Sequence, residues 1–153
     1  MNVISKINEL IDKPCYLIDI FPCTVPETSD GRYFKVEEYF QENRKDWNEK
    51  FCRLLLKLYC YYDFWVSAGG KFAKNPEPRL LAEWIRHCFA EDRRERDFIH
   101  IILPDCSAMV ILYGDDLYMS LYNPDMRLME LTSQLAGAEG FFFYKAPESG
   151  YPE

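Results

Sequence analysis

Proton transfer and nucleophilic attack in proteins are carried mostly by histidine, cysteine and perturbed carboxylates. The chain has two histidines, His87 and His100. His87 precedes Cys88 on a helical pattern, where neighbours point about 100° apart. The two therefore do not face each other as base and nucleophile. His100 sits in a β-rich run beside Phe98 and Ile102, with no nucleophile and orienting group at a telling spacing. Cys106 stands in the turn sequence Pro-Asp-Cys-Ser, and Asp105 beside it opposes thiolate formation. Asp19 is the least explained acid, lying between Ile18 and Ile20 in a run otherwise free of charge. A buried charge persists only when paired, so Asp19 faces a cation across a sheet, lies on an exposed edge, or belongs to a pocket. Asp19, His100 and Cys106 are thus the candidate residues for a small enzyme or small-molecule binder.

Other polar patterns have simpler explanations. Asp115 and Asp116 follow Gly114 in a tight turn, where these types are favoured for backbone reasons. Asp125 suits the start of a helix. No EF-hand loop or H-E-x-x-H helix occurs. Cys15, Cys23, Cys52, Cys60, Cys88 and Cys106 form no C-x-x-C pair, so no metal site is expected. Ser67-Ala68-Gly69-Gly70-Lys71 departs from the phosphate-loop pattern and follows a helix. Dinucleotide fingerprints and nucleophile elbows are absent, so no cofactor is expected.

Aromatic content is the unusual quantity, with eleven tyrosines, eleven phenylalanines and three tryptophans. Along Leu117–Tyr122, alternation places Leu117, Met119 and Leu121 on one strand face and Tyr118, Ser120 and Tyr122 on the other. Tyr113, Tyr118 and Tyr122 are candidate binding residues, because tyrosine suits half-exposed contact surfaces. The competing reading is that helices cover both sheet faces and these rings are core.

The positioning elements follow from periodicity. Val3, Ile4, Ile7, Leu10 and Ile11 mark a helix capped by Asn2 and stopped by Pro14. Residues 15–21 read as a strand and residues 22–32 as a loop. Tyr33 to Phe64 reads as helix, but one piece would overshoot a domain of this size, so a break is expected in Gln41–Asp46. The second half of that stretch is apolar nearly all round, as befits a central helix. Residues 67–78, with Gly69-Gly70, Pro76 and Pro78, read as a flexible internal loop. A helix through Leu81 and Phe89 leads to the mixed charge run 91–97, read as a solvated turn. Three short β runs at 97–103, 108–113 and 117–122 form an antiparallel meander. Asn123-Pro124-Asp125 opens a helix with Asn123 as cap, Gly140 ends it, and residues 141–144 form a last strand. Residues 147–153 read as a polar tail. The order α-β-α-α-β-β-β-α-β predicts a single α+β domain over 1–153, with a mostly antiparallel sheet of four or five strands packed with helices.

With 153 residues, 48% of them hydrophobic, the chain can bury a core and does not read as disordered. A net charge of −7 argues against nucleic acid as a partner. No run approaches the ~18 apolar residues of a membrane span, and the opening segment lacks a secretory pattern. A cytoplasmic location is expected. The segments PCYLIDIFP, RYFKVEEYF, GDDLYMSLYNPD and LAGAEGFFFYKA resemble a family of small bacterial proteins of unassigned function. That resemblance implies one α+β domain of cytoplasmic bacterial origin and assigns no site residue. The small, acidic, aromatic-rich type is also similar to immunity proteins of bacterial toxin systems, an analogy of type alone. The expected function is a non-enzymatic interaction module that binds another protein, a basic one being complementary in charge.

The six cysteines should be reduced and unligated, since no export pattern or paired spacing is present. Titration of the denatured protein with a thiol reagent should find all six; a deficit, or stoichiometric zinc, would contradict this.

Overall fold

The structure, a computed structural model, describes residues 2–88, 98–113 and 118–147. The elements run α1 (Val3–Leu10), β1 (Cys15–Asp19), α2 (Arg32–Glu42), α3 (Arg44–Tyr59), β2 (Trp65–Ala68), β3 (Lys71–Lys74), α4 (Pro78–Cys88), β4 (Phe98–Leu103), β5 (Ala108–Tyr113), β6 (Tyr118–Tyr122), α5 (Met126–Ala138) and β7 (Phe142–Lys145). All strands pair antiparallel in one sheet of order β3-β2-β4-β5-β6-β1-β7. The α+β class and the meander β4-β5-β6 match the sequence reading. The strand count does not: the described residues form seven strands where four or five are expected.

The two extra strands lie within and beside the expected loop 67–78. Gly69 and Gly70 both have positive φ, 53° and 79°, and form the two-residue connection of a β2–β3 hairpin. Such a connection needs residues that adopt left-handed backbone freely. Asn75 clasps the base, its N–H reaching the Phe64 carbonyl at 2.7 Å and its Oδ1 accepting from the Phe64 N–H at 2.9 Å. Reading the glycine pair as punctuation concealed a turn that joins two short strands.

Other local expectations fare better. Asn43 separates α2 from α3, inside the predicted break. Asn2 caps α1, its side chain accepting from the Ile4 N–H. The cap of α5 moves by two residues: Asp125 takes the Leu128 N–H at 2.8 Å, while Asn123 turns at φ 57° and donates to the Ser107 carbonyl. Gly140 ends α5 at φ 86°, with the Phe141 N–H bonded to the Ala136 carbonyl and the Gly140 N–H to that of Gly137. This is the paired closure that a left-handed glycine permits. Leu117, the charge run 91–97, the acidic turn 114–116 and the tail from 148 lie outside the described residues.

The sheet is apolar on both faces. One face carries Ile18, Val66, Ile99, Ile101, Val110, Leu112, Met119 and Leu121 against α3, α4 and α5. Phe51, Leu54, Leu55 and Leu58 of α3 are fully buried there, each contributing roughly 1.5–3 kcal/mol relative to an exposed position. The opposite face is covered in part by α1, whose Val3, Ile7 and Leu10 pack on Ile102, Met109, Ile111 and Tyr122.

Gly70→Ala should destabilise by about 1–2 kcal/mol, since a Cβ there meets no atom and only the left-handed backbone resists it. Gly137→Ala, equally uncrowded but inside α5, should stabilise by about 0.5–1 kcal/mol. Urea melts should move the two midpoints in opposite directions.

Candidate functional site

Strand register arranges the second sheet face in rows. One row joins Phe98, Tyr113, Tyr118, Asp19 and Phe142 across β4, β5, β6, β1 and β7. The next joins Ser67, His100, Ile111, Ser120, Leu17 and Tyr144. A third runs Trp65, Ile102, Met109, Tyr122 and Cys15. Helix α1 covers the third row and part of the second, leaving much of the first row uncovered.

This geometry separates the three candidate tyrosines. Tyr122 is 8% exposed beneath α1, with Tyr113 beside it and their hydroxyls 3.5 Å apart. Burial and that contact hold the Tyr122 phenol neutral far above neutral pH. Tyr122 is core, so the three rings do not form a flat exposed surface. Tyr118 lies half-buried in the open row, its ring 5.1 Å from that of Tyr113. Phe98 extends the row at 5.6 Å from Tyr113.

The structure also separates Asp19, His100 and Cys106. His100 stands three strands from β1, about 14 Å away at the usual strand spacing. Its register neighbours Ser67 and Ile111 offer neither carboxylate nor thiol, and burial lowers the imidazole's affinity for a proton. Cys106 is in the β4–β5 turn, at the end of the sheet opposite Asp19, where burial and then Asp125 push its thiol pKa up. The expected pocket of three groups does not form. His87 and Cys88 diverge as predicted: His87 is exposed, while Cys88 is buried with its Sγ 3.9 Å from the Leu112 carbonyl.

Asp19 itself opens onto a cleft of about 640 Å³. The strand ends here because β1 runs into Ile20, Phe21 and Pro22, and residues 20–31 loop away to α2. The sheet contributes Asp19, Tyr118 and Tyr144; the loop and α2 contribute Phe21, Tyr33, Phe34 and Phe40. Asp19 accepts from the Tyr144 hydroxyl at 2.8 Å and from the Ile20 N–H at 2.7 Å. Burial raises its pKa above the ordinary carboxylate value, and those donors only partly offset the effect. The Tyr144 phenol is raised as well, by burial and then by the carboxylate it serves. Of the three places expected for Asp19, the structure puts it at a pocket.

Wall residues from the loop and α2, and Tyr144, were not singled out in the sequence. A loop rich in Pro, Ser and Thr hides how its flanking aromatics fold back, although Phe21, Tyr33 and Phe40 bracket it closely enough to be a signal. Among the described residues no group of His, Cys, Asp or Glu is arranged to hold a metal ion, and no helix is long and apolar enough to cross a membrane. Comparison with protein-family models, curated proteins and solved structures gives no match.

A carboxyl whose folded pKa is raised contributes stability fully below its unfolded value, near 3.9, and loses it as pH rises through the folded value. Asp19→Asn removes that dependence. Thermal melts should show the wild type gaining stability relative to Asp19→Asn as pH falls from 7 to 4; an unchanged difference, or a wild type that loses stability relative to the variant toward acid, would contradict the raised pKa.

Proposed function

We propose that the protein is a non-enzymatic interaction module that binds another protein through the uncovered aromatic end of its sheet and the adjoining cleft. The carrying observation is the display of aromatic side chains around that cleft. Helix α2 has no buried residue; its Phe34 lines the cleft at 69% exposure, and its Tyr39, outside the lining, is 63% exposed. Phe98 and Phe142 stand exposed at the two ends of the open row. Exposed aromatics beside a concavity mark contact surfaces, where rigid rings supply area at low entropic cost. The net charge of −7 speeds capture of a basic partner. Six thiols and no metal-type spacing suit a reducing cytoplasm, and the immunity-protein analogy is compatible with such a partner.

A second reading, a small-molecule binder, is favoured by the cleft's volume, which falls in the range of about 300–1,000 Å³ common for ligand pockets. Native mass spectrometry of the protein purified from its own cells would show that ligand as a bound mass.

The interaction reading is tested with a photo-crosslinking residue placed in living cells at Phe34, at Tyr39, or at Met126, which is 82% exposed on α5. One discrete adduct should form from positions 34 and 39 and none from 126. Adducts equal at all three positions, or absent from 34 and 39, would remove the proposal.

A further inference from the structure

We infer that the cleft takes a basic side chain, an arginine or lysine of the partner protein, with its cationic head at the Asp19 carboxylate between the rings of Tyr118 and Phe21. This rests on the interaction reading above and names the chemistry that the cleft selects.

Asp19 lines a cavity whose walls combine six aromatic rings with polar side chains, Glu27, Ser29, Glu37 and Gln41 among them. Its partners, the Tyr144 phenol and the backbone amides of Ile20 and Phe21, are neutral donors that leave a formal charge uncompensated. The cleft lining includes Glu27 and Glu37 but no lysine or arginine among the described residues. Arg32 and Arg44 bond to Ser29 and Gln41, which belong to the lining, without lining the cleft themselves. Among the described lining residues an anion entering would meet three carboxylates and no cationic side chain. A neutral apolar group would fill the walls but leave Asp19 desolvated with its charge unmatched, which is costly.

A cation satisfies both features. Its charge pairs with Asp19 in a charge-assisted hydrogen bond, and its flanks lie against ring faces, whose quadrupole attracts positive charge. Long basic side chains have an apolar stem and a charged tip, matching aromatic walls with a carboxylate set among them. The raised proton affinity of Asp19 is consistent with a site that is electrostatically incomplete when empty. A bound cation would bring that pKa back down.

The test uses the full chain labelled with nitrogen-15 and two probes, N-acetyl-arginine methylamide and its neutral isostere N-acetyl-citrulline methylamide. Arginine should shift the backbone amide signals of Ile20, Phe21, Tyr118 and Tyr144. Citrulline, and arginine added to Asp19→Asn, should bind roughly tenfold or more weakly, the usual scale for a lost charged hydrogen bond. Equal shifts with citrulline, shifts elsewhere on the chain, or no shift at roughly 20 mM arginine probe, well into the range of a 1 mM fragment affinity, would overturn the inference. If Asp19→Asn loses its cooperative melt, the arginine–citrulline comparison on wild-type protein decides alone. Photo-crosslinking from position 34 in the Asp19→Asn background separates the two proposals. An undiminished adduct there leaves the interaction module standing and removes the cationic anchor, whereas absence of the adduct from wild type removes the module.

Discussion

A sheet that is apolar on both faces needs cover on both, and the chain supplies it unequally. Three helices, α3, α4 and α5, bury one face, while among the described residues the helix packed on the other is the eight-residue α1. An eight-residue helix is about 12 Å long, and a seven-stranded sheet is about 29 Å across. The mismatch leaves part of the second face open. The open part is the row that ends in Tyr118, Asp19 and Phe142, and the cleft forms where the loop after β1 and helix α2 fold back beside it.

What holds that second wall is a chain of rings. Phe21 meets Phe40 at 6.1 Å, Phe40 meets Trp47 at 5.4 Å, Trp47 meets Phe141 at 5.7 Å, and Phe141 stacks on Phe51 at 4.3 Å. Helix α2, with no buried residue of its own, is thereby tied to the main core through α3. Phe141 is placed by the closure of α5 at Gly140. The neighbouring Glu139, 8% exposed, is clamped by Arg53 at 2.8 Å and Lys57 at 3.4 Å, which lowers its pKa and locks α5 onto α3. The high aromatic content thus serves two ends, filling the core and suspending a wall of the cleft from it.

Asp19 concentrates the functional consequence. Burial penalises its charge, and the Tyr144 hydroxyl and Ile20 amide relieve only part of the penalty. In the core such a group would be replaced at little cost by an apolar residue. On the cleft, in the reading proposed above, it is a recognition element, because partial burial of the carboxylate strengthens its attraction for a cation that approaches.

Local pattern alone determined much of the molecule. The alternation of β6, the break at Asn43, the cap at Asn2 and the stop at Gly140 all depend on neighbours within a few residues, where backbone sterics and short hydrogen bonds dominate. The anomaly of Asp19 was visible for the same reason, as a charge out of place in an apolar strand. The hairpin at Gly69-Gly70 was missed because strands of four residues carry too little periodicity to outweigh their glycines and prolines. The separation of Asp19 from His100 and Cys106, the burial of Tyr122 and the pairing of Asp19 with Tyr144, 125 residues away, came only from the tertiary structure. Strand order and register decide which side chains become neighbours, and these are set by the packing of the whole sheet against its helices.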